Sequence, residues 1–206
     1  MKKRINWSNK ITIVIAIISV FGVVATRAAE NNGNIASDVQ VTILSSNLAN
    51  GATIGEWGFS ALVEADGKCI LFDAGRYPET ILKNAKVLDV DLSCITDVVL
   101  SHFHFDHNSG LLPLIKSLQD DGSALIRRVH VAEGFFHSRR PSIQPGTFPT
   151  CMDGELECNL MIGLRDDIEA EGVEFIVHSE ATEIFPSVWI SGPVARVHPE
   201  VNYPTG

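Results

Sequence analysis

The chain has 206 residues, 45% of them apolar, which is enough for the core of one domain. Acidic residues outnumber basic ones 25 to 16, for a net charge of −9. Such a surface repels phosphate backbones and excludes nucleic acid as a natural partner. In chain order, "MKKRINWSNK" is a positively charged opening, residues 11–24 are an apolar run, and "ATRAAE" brings small residues. That sequence of parts predicts a secretory signal peptide over residues 1–28, cut after Ala25 or Ala28. An uncleaved membrane anchor is the alternative, but spanning hydrocarbon takes about 20 apolar residues and this run is shorter. No cysteine stands near the cut to carry a lipid. Five of the 16 basic residues and no acid lie in residues 1–28, so cleavage leaves 11 against 25, a net of −14. The expectation is a periplasmic or secreted protein with no stable membrane insertion after leader removal.

Beyond a polar linker, "VQVTILSSNL" alternates and is β-branched, as a strand should be. "FSALVEADGKCILFDAG" reads as a hairpin turning at Asp66-Gly67. "YPETILKNAKVL" reads as a helix with Pro78 in its first turn and Ile81, Leu82, Ala85 and Leu88 on one face. "ITDVVLSH" is a strand, "GLLPLIKSLQ" a helix and "ALIRRVHVAE" a strand. Residues 137–158, rich in Pro, Gly and polar groups, read as a long surface loop of the kind that tends to be functional. "NLMIGLRDDIEAEG" is a helix, and "VEFIVHS" and "SVWISGPV" are strands. Early strand pairs followed by helix–strand alternation predict an α/β fold with layered sheets. Cys69, Cys94, Cys151 and Cys158 would meet an oxidising compartment. Cys151 and Cys158, bracketing a short polar loop, are the likeliest pair, and no C-x-x-C spacing suggests a zinc knuckle.

The chemistry concentrates in "DVVLSHFHFDHNSGL", residues 97–111, where His102, His104, Asp106 and His107 arrive as a strand runs out. Imidazole nitrogen and carboxylate oxygen are the usual donors to zinc and similar divalent ions. In extended backbone His102 and His104 would share a face and grip one ion, while Asp106 and His107, past the turn, would face a second. Two ions about 3.5–4 Å apart can share a hydroxide and polarise a substrate oxygen. Single strand-end histidines are commonplace, but three with an aspartate in H-x-H-x-D-H order are not.

This motif resembles the signature of the metallo-β-lactamase superfamily. The flanking segments "EWGFSALVEADGKCILFDAG", "NAKVLDVDLSCITDVVLSHFHFDHNSGLLPL" and "ISGPVARVHPEVN" are similar to the branch of dihydropterin-type synthases and related metal-dependent hydrolases. The resemblance implies an αββα sandwich over residues 38–206 and one or two divalent metal ions, with zinc favoured. It further implies a metal-bound hydroxide attacking an ester, lactone or phosphoester of a small-molecule substrate. His102, His104, Asp106 and His107 would be ligands, with Asp106 also catalytic in orienting the hydroxide. Asp73 of "LFDAG" would sit beneath the metals and orient the ligand loop, although a plain turn carboxylate is the competing reading. His198 would complete the first metal site or contact substrate, if it is not an ordinary loop histidine. Arg196 would bind a substrate anion or form a surface salt bridge. Ala195 stands where the family pattern has Pro. His130, alternating with Val129 and Val131, reads as structural, and His137 and His178 as loop or strand-end residues.

The family's second half supplies a bridging aspartate and a late histidine in a "GCSHAG"-like segment, and no such segment is present here. The expectation is therefore a sandwich missing much of its C-terminal half, a weakly held second ion and an exposed sheet edge. The rival functional readings are a β-lactamase or lactonase proper, and a catalytically inactive metal-binding fragment or interaction module.

Overall fold

The computed structural model describes residues 35–122, 125–136, 160–195 and 197. The expected leader, the Cys151–Cys158 pair, His137, Arg196 and His198 lie outside the described residues. Six strands make one mixed sheet in sequence order: β1 (Val39–Ser45), β2 (Ser60–Ala65), β3 (Lys68–Phe72), β4 (Ile95–Val99), β5 (Arg128–Ala132) and β6 (Glu174–His178). The first three strands are antiparallel and the steps from β3 to β6 are parallel. The β2–β3 turn is short because Asp66 (φ 46°) and Gly67 (φ 77°) both take the left-handed conformation that a two-residue hairpin needs. Each parallel step is bridged by a helix, as parallel neighbours require. These are α1 (Pro78–Leu88), α3 (Leu111–Asp120) and α4 (Leu160–Ala170), while the four-residue α2 (Phe105–Asn108) follows β4. A separate two-stranded sheet pairs β7 (Thr182–Phe185) with β8 (Val188–Ile190). Neither α2 nor β7 was legible from periodicity, each being too short to show a period.

All three longer helices share one core with one face of the sheet. Leu62, Leu71, Val98 and Val129 come from the strands, Ile81 and Ala85 from α1, and Ile168 from α4. Helix α3 contributes Leu111, Leu114, Ile115 and Leu118, the i, i+3, i+4, i+7 stripe of a helix that buries one side. Burying each such side chain stabilises the fold by roughly 2 kcal/mol before entropy is counted. On α1 the buried face differs from the expected one. Leu88 is exposed, and Asn84 is buried instead. Its amide donates to Leu44 O and Ile54 O at 2.8 Å each and accepts from Ile54 N at 2.7 Å, so one polar side chain secures a loop the sheet cannot reach. A disulfide joins Cys69 of β3 to Cys94 just before β4 and closes the segment holding α1.

The opposite face of the sheet carries a buried polar chain. Asp97 and Arg128 are Cα partners across β4 and β5, and His130 and His178 stand on the same face. Asp97 Oδ1 accepts from Arg128 Nε (2.6 Å) and His130 Nε2 (2.8 Å), and Oδ2 accepts from Arg128 Nη2 (3.0 Å) and Thr96 Oγ (2.6 Å). His130 Nδ1 lies 2.9 Å from His178 Nε2. His130 Nε2 donates to Asp97, and its Nδ1 shares one hydrogen bond with His178 Nε2. Burial, then the neighbouring His130, pushes the His178 pKa down. The structural reading of His130 fits this position, bonded at both ring nitrogens between two strands.

Candidate metal centre

Strand β4 ends at Val99, so the histidines do not project from extended strand as the period-two argument expected. Leu100 N donates to His130 O, the chain then leaves the sheet, and His104 becomes the N-cap of α2 with φ −68° and ψ 143°. The result is a cluster centred on His102. Its ring centroid lies 4.6 Å from that of His104 and 4.2 Å from that of His107. Asp106 Oδ2 lies 3.6 Å from His107 Nε2. His102 thus lies close to both His104 and His107, with Asp106 beside His107, because the short helix folds His107 back toward His102.

Asp73 organises the cluster from below. It is 1% exposed, follows β3 in the left-handed conformation (φ 56°), and is pinned by donation from its own N–H to Val99 O at 2.8 Å. Its carboxylate accepts from Ser101 N and Ser101 Oγ, both at 2.7 Å, and from His107 Nδ1 at 2.7 Å. Ser101 Oγ is 2.9 Å from His102 Nδ1. Because the serine proton goes to Asp73, His102 donates to the serine oxygen. One carboxylate thus engages Nδ1 of both rings, directly for His107 and through Ser101 for His102, and leaves each Nε2 on the other edge of its ring. Burial, and after it the neighbouring His107 and His104, pushes the His102 pKa down and holds that ring neutral.

The ligand loop is laced to the turn after Asp73. Ala74 N donates to His107 O at 2.8 Å, Gly110 N to Gly75 O at 3.2 Å and Phe59 N to Asp106 O at 3.3 Å. A Cβ on Gly110 would collide with Ala74 O, so only glycine lets the two segments approach this closely. Sequence reasoning missed Ser101 and Glu56. Ser101, adjacent to the motif, could have been suspected as a link to a carboxylate. Glu56 could not, since its partners Ser45, Arg76, Tyr77 and Thr80 lie 11 to 24 residues away. It holds the start of α1 by accepting from the Tyr77 N–H and the Thr80 hydroxyl.

The donors fit a divalent cation in kind: three imidazoles and one carboxylate. Their convergence is incomplete, for no group of three or more His, Cys, Asp or Glu among the described residues is arranged to hold an ion.

Residues 58–153 match the family model described as the metallo-beta-lactamase superfamily. A Methanocaldococcus jannaschii protein named 7,8-dihydropterin-6-methyl-4-(beta-D-ribofuranosyl)-aminobenzene-5'-phosphate synthase is 30% identical over 141 residues, covering 66% of this chain and 44% of that protein. An uncharacterised protein of the same organism is 34% identical over 88 residues, covering 43% of this chain and 34% of its own length. Among solved structures, a metal-dependent hydrolase of the beta-lactamase superfamily superposes with a TM-score of 0.50 at 24% identity, over 77% of this chain and 49% of that one. That likeness concerns the fold alone. The chain spans less than half the length of the curated relatives named here.

Proposed function

We propose that this chain, a member of the metallo-β-lactamase superfamily, is an exported metal-dependent hydrolase that opens an ester, lactone or phosphoester in a small molecule. The observation that carries the reading is the packing of His102, His104 and His107 with Asp106 above the Asp73 carboxylate. His102, His104, Asp106 and His107 would hold a divalent ion, zinc by the nitrogen and oxygen character of the donors, and His198 would add to them. When bound, such an ion supplies Lewis acidity toward a substrate oxygen and toward water. The protein's own part is to orient the His102 and His107 rings through Ser101 and Asp73. Asp106, beside His107 Nε2, would also orient the attacking hydroxide. Arg196 is proposed to hold a substrate anion.

The name of the methanogen relative denotes a synthase of a phosphorylated dihydropterin. An exported protein has poor access to cytoplasmic pterin intermediates, so hydrolysis is preferred here over that reaction. Export rests on the charged, apolar and small-residue segments of residues 1–28. N-terminal sequencing of protein from an exporting host should find Thr26 or Ala29; Met1 retained in membranes would refute cleavage. A second reading, a metal-binding or interaction module without turnover, has the incomplete convergence of donors on its side. The deciding experiment loads the chain with zinc and offers p-nitrophenyl esters, a lactone, bis(p-nitrophenyl) phosphate and nitrocefin. Turnover abolished by His104→Ala supports the hydrolase, and nitrocefin alone would point to a β-lactamase. Bound metal with no turnover of any of them supports the module.

A further inference from the structure

Arg76 ends the turn that begins at Asp73, one residue before the N-cap of α1. Its guanidinium carbon lies 5.0 Å from the centre of the Tyr77 ring and 5.1 Å from that of Phe105. Phe105 is the residue between His104 and Asp106, so the cation is attached to the histidine loop itself. The backbones agree: a Cβ placed on Gly58 would stand 2.8 Å from Asp106 O and 3.0 Å from Arg76 N, so both atoms flank one point. Both rings are substantially exposed, Tyr77 at 48% and Phe105 at 55%.

In a chain this acidic, a surface guanidinium ordinarily finds a carboxylate. Arg76 has none among the ion pairs of the described residues. The carboxylate beside it, Glu56, is already committed: Oε1 accepts Ser45 Oγ and Arg76 N, and Oε2 accepts Tyr77 N and Thr80 Oγ. Glu56 thus anchors the Arg76 backbone without neutralising its head group. Aromatic rings hold a guanidinium by its faces, whereas its N–H donors lie in its plane. Among the described residues no hydrogen bond uses those donors, and their forked geometry matches an oxyanion.

We infer that Arg76, cradled by Tyr77 and Phe105, is a substrate-binding residue that captures an oxyanion group, phosphate or carboxylate, carried by the molecule acted on at the neighbouring histidine cluster. Its role toward a substrate rests on the hydrolase reading, while the capture of an anion does not. The test uses the full chain. The Arg76 Nε–H signal is followed by nitrogen-resolved magnetic resonance while inorganic phosphate, and separately glutarate, is added. The signal should move with at least one of them, which identifies the preferred oxyanion, and the Kd for that anion should rise about tenfold in Arg76→Ala. No movement with either anion, or equal affinity in Arg76→Ala, overturns the inference. In parallel, kcat/KM is compared for p-nitrophenyl acetate and the anionic mono-p-nitrophenyl glutarate. The anionic-to-neutral ratio should fall about tenfold in Arg76→Ala, through KM, and recover in part in Arg76→Lys. An equal loss on both esters would make Arg76 scaffolding and overturn the inference while leaving the hydrolase reading intact. If the wild type turns over neither ester, the hydrolase reading rests on the lactone and the phosphodiester, and the anion titration alone decides on Arg76.

Discussion

Replacing Asp97 with Asn tests the polar chain that ties β4, β5 and β6 together. The outline of the side chain is kept, but the donor pattern is wrong in either orientation. Oδ1 accepts from Arg128 Nε and His130 Nε2, and Oδ2 from Arg128 Nη2 and Thr96 Oγ, so the new amide must face an Arg128 donor whichever way it turns. The residue is 1% exposed, and water cannot repair the mismatch. Losing a charged acceptor and leaving a buried donor unsatisfied costs about 1–3 kcal/mol for each affected group. The Arg128 contribution is discounted because that side chain is 41% exposed. We expect a total of about 2–3 kcal/mol at pH 7, or roughly 5–10 °C in Tm for a domain of this size. The pH dependence has a definite sign. Burial raises the Asp97 pKa, but the hydrogen bonds from His130, Arg128 and Thr96 outweigh it and hold the carboxyl well below its usual range. A depressed carboxylate stabilises fully above its unfolded pKa of about 3.9, and the effect is lost as pH falls through the folded value. Urea denaturation of wild type and Asp97→Asn should therefore show a constant gap from pH 5 to 8 that narrows below about pH 4. A gap under about 0.5 kcal/mol at pH 7, or one that widens on acidification, would refute the reasoning.

Three further outcomes are expected. His102→Ala or His104→Ala should lower bound zinc below that of the wild type, measured by elemental analysis after gel filtration; unchanged metal would remove them as ligands. Asp73→Asn should weaken zinc binding about 10–100-fold in a competition titration, because Ser101 and His107 lose the carboxylate that orients two rings. The Cys69→Ala, Cys94→Ala double variant should lose about 3 kcal/mol in denaturant, the loop-closure effect of a cross-link between positions 25 apart; a loss under about 1 kcal/mol would mean that the bond does not constrain the unfolded chain.

The sequence by itself determined the elements whose signals are local. The β2–β3 turn was legible because Asp66-Gly67 is one of few dipeptides at ease with two left-handed residues. Helix α3 was legible because Leu111, Leu114, Ile115 and Leu118 repeat with the helical period. The candidate ligands His102, His104, Asp106 and His107 were legible because four side chains of metal-binding type in six positions are rarely accidental. Tertiary structure decided what depends on contacts across the chain. The α1 face turned toward Asn84 because its amide satisfies Leu44 and Ile54, forty and thirty residues distant. Cys69 found Cys94 because β3 and β4 are parallel neighbours, and no spacing rule says so. Glu56 reached the start of α1, and Arg76 the Phe105 ring of the histidine loop, only when the turn after β3 was pressed against α2. The grouping of the imidazoles likewise followed from β4 stopping at Val99. Periodicity assumes that the backbone continues as it began, and here the chain leaves the sheet before the first histidine.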